Sequence, residues 1–186
     1  MNRFVGLIIN PKNEFNLIKN ENKQYLQIIK SFLSIVVLIR ILFSSIHLVI
    51  SGPYESFGYL WSVLLIIVVS SLIIPYSYIV AKIINKIAQL FGFHNNFEAA
   101  IKVSSYSTIS IIVSGLLGFI PIKYFGFLPI VYSIYLRYIG LRIVMNCTKR
   151  TLLIAVLPEI IIIAFFALLT GILDIISINI ISLIFN

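Results

Sequence analysis

Acidic residues are scarce in this chain: six Asp and Glu stand against fourteen Lys and Arg in 186 residues. Asp174 is the only aspartate. That excludes the aspartate-rich motifs of many lipid-transforming membrane enzymes. A lone cysteine, Cys147, excludes an internal disulfide framework and a cysteine-based metal cluster. The two histidines, His47 and His94, fall on separate predicted elements, and no HExxH, GxSxG or Walker glycine loop occurs. A catalytic site needs convergent titratable groups. None converge here, so neither an enzyme, a metal site nor a cofactor is expected. Polarity itself is short: only 11% of residues are charged, against about 25% in an ordinary soluble domain.

What is abundant is apolar side chain, at 60% of the chain. A soluble domain of this size could not bury so much. The pattern is therefore that of an all-α polytopic membrane protein, with five transmembrane helices and flanking amphipathic helices. The net charge of +8 does not cluster as a nucleic-acid patch would. It lies between apolar runs, where topology requires it, and nucleic acid is not an expected partner. At the start, the apolar part Phe4 to Ile9 is shorter than the about 7–15 residues of a signal-peptide core and has no small-residue cleavage site after it. The segment is expected to stay on the mature protein.

Asn10-Pro11 predicts a helix start, with Asn as cap and Pro at the first helical position. Residues 1–30 form an amphipathic segment, with Phe15, Ile18, Tyr25 and Leu26 on one side and Lys12, Lys19, Lys23 and Lys30 over the rest. It could lie on an anionic leaflet or pack against the protein's own loops. The predicted spans are residues 31–50, 59–81, 104–120, 125–145 and 152–173, each near the roughly 20 residues that cross a hydrocarbon core. Pro75 should kink the second. Residues 82–92 read as an interfacial helix, followed by a capping box of Asn95 and Glu98. Residues 174–186 read as an apolar tail at the interface.

Basic residues in the connections orient the spans. Arg3, Lys12, Lys19, Lys23, Lys30, Lys82, Lys86, Lys102, Lys149 and Arg150 fall on one side, and Lys123 alone on the other. That places the N-terminus in the cytoplasm and the C-terminus outside. Four charges remain inside apolar runs: Arg142, near the end of its span, should snorkel to the inner interface, and deeper lie Arg40, Arg137 and Glu159. Counted at about 1.5 Å per residue from the inner ends, these last three share a similar depth. Glu159 is therefore expected to pair with Arg40, Arg137 or both, because charges within a bilayer face protein, water or each other. The cluster is either a structural tie between spans or the lining of a polar path, and the structural tie is the favoured reading. Ser110, Ser114 and Gly118 give the third span a small face suited to close packing. Arg40, Ser44, His47 and Ser51 share a face of the first span, and Pro129, Ser133, Arg137 and Gly140 a face of the fourth.

The order of these features resembles the Yip1 family, small five-span membrane proteins. Asn10-Pro11 with Phe15 and Ile18 is similar to the opening of prokaryotic members. Phe97-Glu98-Ala99-Ala100 leading to Tyr106-Ser107 is similar to the entry of the third span. Gly140-Leu141 and Lys149-Arg150-Thr151 resemble the passage from the fourth span to the fifth. The resemblance implies a non-enzymatic integral membrane protein that organises or recruits at membranes, in the plasma membrane if prokaryotic. The motif of eukaryotic relatives, Asp-Leu-Tyr-Gly-Pro, is absent, so a small-GTPase contact is not implied. The expected partners are the lipid bilayer, anionic headgroups, and a membrane or cytoplasmic protein; self-association stays open. The basic inner face (Lys12, Lys19, Lys23, Lys82, Lys86, Lys149 and Arg150) would meet them. The alternative is a small transporter or channel component with a path lined by Arg40, Arg137 and Glu159.

Overall fold

The structure, a computed structural model, describes residues 3–52, 58–117, 119, 128–147, 150–162 and 164. Lys123, Gly118, Lys149, Asp174 and the 174–186 tail lie outside the described residues. All regular structure described is helical. The helices are α1 (Arg3–Ile9), α2 (Pro11–Lys19), α3 (Tyr25–Ser51), α4 (Tyr59–Leu90), α5 (Phe97–Leu117), α6 (Leu128–Ile143) and α7 (Thr151–Ile162). Three of them, α3, α4 and α5, are long and apolar enough to cross a membrane. Their 27, 32 and 21 residues correspond to about 41, 48 and 32 Å, against a hydrocarbon core of about 30 Å. As described, α6 and α7 are shorter.

Helix α5 is the packing centre. Every residue from Ala99 to Ser110 is buried, the condition of a helix covered on all sides. Its small side chains make that coverage feasible. Against α4, Ser104 Oγ donates to the Ser77 carbonyl at 2.7 Å. Against α6, a Cβ on Gly140 would sit 3.0 Å from Val103 Cγ1. Against α3, a Cβ on Gly115 would sit 2.6 Å from Phe43 Cδ2. The seam to α3 thus depends on Gly115, one residue beyond the expected Ser110–Ser114 pair.

The N-terminal helices fold into the bundle. Asn10 caps α2, its Oδ1 accepting from the Asn13 amide at 3.3 Å, with Pro11 at the first position. Leu7, Phe15 and Ile18 are fully buried. Tyr132 on α6 donates to the Leu7 carbonyl at 3.0 Å, and Lys19 Nζ donates to Asn146 Oδ1 at 2.9 Å. One side of the segment is seated on membrane-type helices and, through Lys19, on the connection after α6. Phe15 and Ile18 are on the buried side as the spacing requires, whereas Leu26 is exposed. The apolar run of α1 supplies a second helix, which turns the amphipathic segment into a hairpin.

Two boundaries differ from the sequence expectation. Residues 82–90 continue α4 without a separate interfacial helix. Ala81, Ile84, Asn85, Ile87 and Ala88 are buried, so the helix changes composition as it leaves the apolar zone without a reason to stop. A turn at Leu72 marks the disturbance made by Pro75, and Ser71 Oγ donates to the Val68 carbonyl at 2.7 Å. The cap of α5 is Asn96, which accepts from Ala99 N at 2.9 Å; the expected cap, Asn95, instead accepts from Asn85 Nδ2 at 2.8 Å.

Gly115→Ala should lower unfolding stability in detergent by about 1–3 kcal/mol, the usual cost of overpacking. Phe43→Ala in the same chain should recover part of that loss. Thermal unfolding of the two variants checks both.

Candidate functional site

The three charges among apolar helices meet at a cavity, though unequally. Arg137 on α6 is 1% exposed. Its Nη1 lies 2.8 Å from Glu159 Oε1 on α7, a close ion pair set off the hydrogen-bond direction. Its Nη2 donates to Tyr76 OH on α4 at 3.0 Å. Tyr76 OH in turn donates to Glu159 Oε2 at 3.3 Å, and Ser133 Oγ donates to Oε1 at 3.1 Å. Both carboxylate oxygens are thereby occupied. One acid ties α4, α6 and α7 together. Arg137 Nε is buried and has no hydrogen-bond partner.

Arg40 on α3 does not join the pair. It forms no ion pair among the described residues and is half-buried. It lines a cavity of about 420 Å³ together with Ser110, Ser114, Ser133, Arg137 and Glu159. A second cavity of about 230 Å³ shares Arg40 and Ser114 and extends past Phe43 and Ser44 to His47. His47 Nδ1 lies 3.5 Å from Ser51 Oγ. The polar faces read on the first, third and fourth spans therefore converge. Ser110 and Ser114, expected on a packing face, line a cavity.

A second polar cluster had no sequence signal. Arg3 Nε donates to Glu14 Oε1 at 2.9 Å, and Arg3 Nη1 donates to Glu21 Oε2 at 2.6 Å. Tyr106 OH also donates to Glu21 Oε2, at 2.8 Å. Lys23 Nζ lies 2.6 Å from Glu21 Oε1, and buried Lys102 donates to the Glu21 carbonyl. Lys102 also pairs with Glu98 at 3.1 Å. A Cβ on Gly6 would collide with Glu14 Oε2, so a larger residue there would displace the Glu14 carboxylate from its place beside Arg3. Arg3 and Tyr106 are 103 positions apart, and no local spacing announces such a contact.

Basic residues are left over on the surface, several of them where α2, α4 and α6 finish. Lys12, Lys19, Lys82, Lys86 and Arg150 are exposed. Lys82 Nζ lies 4.7 Å from the Tyr78 ring centroid, and the Arg150 guanidinium 5.2 Å from that of Phe91. Glu14, Glu21 and Glu98 are already paired with Arg3, Lys23 and Lys102. Lys23, placed by the sequence reading with the exposed basic group, is used internally. Among the described residues, no group of three or more His, Cys, Asp or Glu could hold a metal.

Apolar helices around internally paired charges define an integral membrane protein of all-helical architecture. The chain belongs to the Yip1 family: the model of the Yip1 domain matches residues 5–170. No curated protein and no solved structure matches it significantly.

Two outcomes test this geometry. Glu159→Gln or Arg137→Gln should each lower stability in detergent by about 3–5 kcal/mol, since either leaves a buried partner uncompensated. The double variant should lose less than the two losses added; equilibrium unfolding of all three measures this. The second concerns pH. Burial pushes the Glu21 carboxyl upward, but hydrogen bonds from Lys23, Arg3 and Tyr106 outweigh it, and its pKa lies below the ordinary 4.5. An acid with a depressed folded pKa stabilises above its unfolded pKa and loses that contribution as pH falls through the folded value. Docking of the hairpin should thus persist from neutrality to about pH 4.5 and weaken below it. Protease sensitivity of residues 3–23 against pH reads this directly, and Glu21→Gln should remove the dependence.

Proposed function

We propose that the protein is a non-enzymatic organiser or adaptor in the membrane. Five helices would cross the bilayer, with the N-terminus in the cytoplasm and the C-terminus outside. The basic end would face the cytoplasm and gather anionic lipid headgroups or an acidic protein partner. One observation carries this reading. Every described acid near the basic end is paired internally, so the charges of Lys82, Lys86 and Arg150 are left to act outward. Each basic residue near an anionic leaflet is worth about 1 kcal/mol, and salt screens the effect. The transporter reading, in which Arg40, Arg137 and Glu159 line a solute path, draws support from the two cavities that share Arg40 and Ser114.

Reconstitution in vesicles of phosphatidylcholine with a fluorescent phosphatidylserine separates the two. An organiser enriches the anionic lipid around wild type, loses most of the enrichment in K82Q/K86Q/R150Q, and loses it also in high salt. Equal lipid distribution around both proteins would count against the organiser, and solute flux that depends on Arg40 would favour transport.

A further inference from the structure

We propose that the larger cavity is a binding site for a small oxyanion, a phosphate group held between Arg40 on α3 and the Ser110–Ser114 face of α5, with Arg137 behind it. The inference goes beyond the organiser reading and does not rest on it. Three observations carry it.

The first is charge. The cavity is lined by two guanidinium groups and one carboxylate, and that carboxylate already belongs to Arg137 at 2.8 Å. Arg40 is left with a full charge among apolar helices and no acid among the described residues to meet it. An ionised group in such a setting is costly without a counter-charge. The second is hydrogen-bonding sense. Glu159 Oε1 accepts from Ser133 beside its ion pair with Arg137, and Oε2 accepts from Tyr76. Ser110 and Ser114 form no hydrogen bond among the described residues, and Arg137 Nε, nine-tenths buried and more, has no partner. The guanidinium nitrogens can only donate and the two hydroxyls can turn to donate beside them, a set that suits an anion better than a cation. The third is size. About 420 Å³ lies within the range of about 300–1,000 Å³ typical of ligand pockets and far above what one water fills. A planar guanidinium with adjacent hydroxyls suits the several oxygens of a phosphate.

Phosphate chemistry can come from two sources: free phosphate reaching Arg40 past Ser44 and His47, or the headgroup of a lipid lodged between helices. The full chain, purified in detergent, distinguishes them. In one arm, thermal unfolding is followed while sodium phosphate is titrated against sodium chloride of equal ionic strength. In the other, native mass spectrometry asks whether a phospholipid stays bound. Free phosphate predicts a saturable rise in Tm that chloride does not give. A headgroup predicts a retained phospholipid and no rise. In either case R40Q should weaken the response by about tenfold or more, the loss expected for a charge-assisted contact. Ser114→Ala, which keeps every charge and removes one donor, should weaken it less. Arg40→Lys guards against misfolding, since it keeps the charge and loses the fork. No phosphate-specific rise and no retained phospholipid in wild type would overturn the site, as would a response equal in wild type, R40Q and S114A.

Discussion

A carboxylate among apolar helices must be matched, and Glu159 is matched three times over. Arg137, Tyr76 and Ser133 converge on it from two neighbouring helices. Breaking such a pair leaves a naked charge where no water compensates it, so the arrangement fixes the register of α4, α6 and α7 at one level. The remainder of the interior follows from the same constraint. Small side chains on α5 allow the helices to close around the cluster, and Gly115 and Gly140 bring α3 and the α2–α6 pair within contact. The cost of unpaired charge in a low-dielectric medium thus acts as the alignment device that a hydrophobic core supplies in water.

The same economy of acid shapes the surface. Four described carboxylates, Glu14, Glu21, Glu98 and Glu159, are each in an ion pair. Those on the N-terminal half dock the hairpin of α1 and α2 to α5, with Tyr106 completing the contact. What remains uncompensated is positive: the exposed lysines and Arg150 at one end, and Arg40 within the bundle. Structure and proposed function meet here, because residual positive charge at a membrane surface attracts anionic headgroups, and residual positive charge in a cavity attracts an anion.

Much of this was legible in the chain. Long apolar runs fixed the helical class, and the depth of Arg137 and Glu159, counted from the basic flanks, pointed to their meeting. The Asn10-Pro11 start is where the spacing put it. The polar faces of Arg40 and Ser44, Ser110 and Ser114, and Ser133 and Arg137 emerged from i, i+4 periodicity alone. What escaped was long-range or graded. The Arg3–Glu21–Tyr106 contact joins residues whose proximity only the fold creates. The extension of α4 through Lys82 and Lys86 escaped because a helix leaving the hydrocarbon changes its composition without a breaking residue. The seat of Phe15 against Gly140 escaped because an amphipathic face does not say whether it meets lipid or protein.

If the bundle consumes its described carboxylates and leaves a positive cavity at Arg40, that cavity should draw in an anion. The most direct measurement is the rate of thiol modification at S114C, a position that touches both cavities and changes no charge. Wild type, with only the buried Cys147, sets the background. A small anionic methanethiosulfonate should react faster than a cationic one of similar size, and the preference should fall when R40Q is added. Equal rates, or a preference for the cation, would contradict the claim.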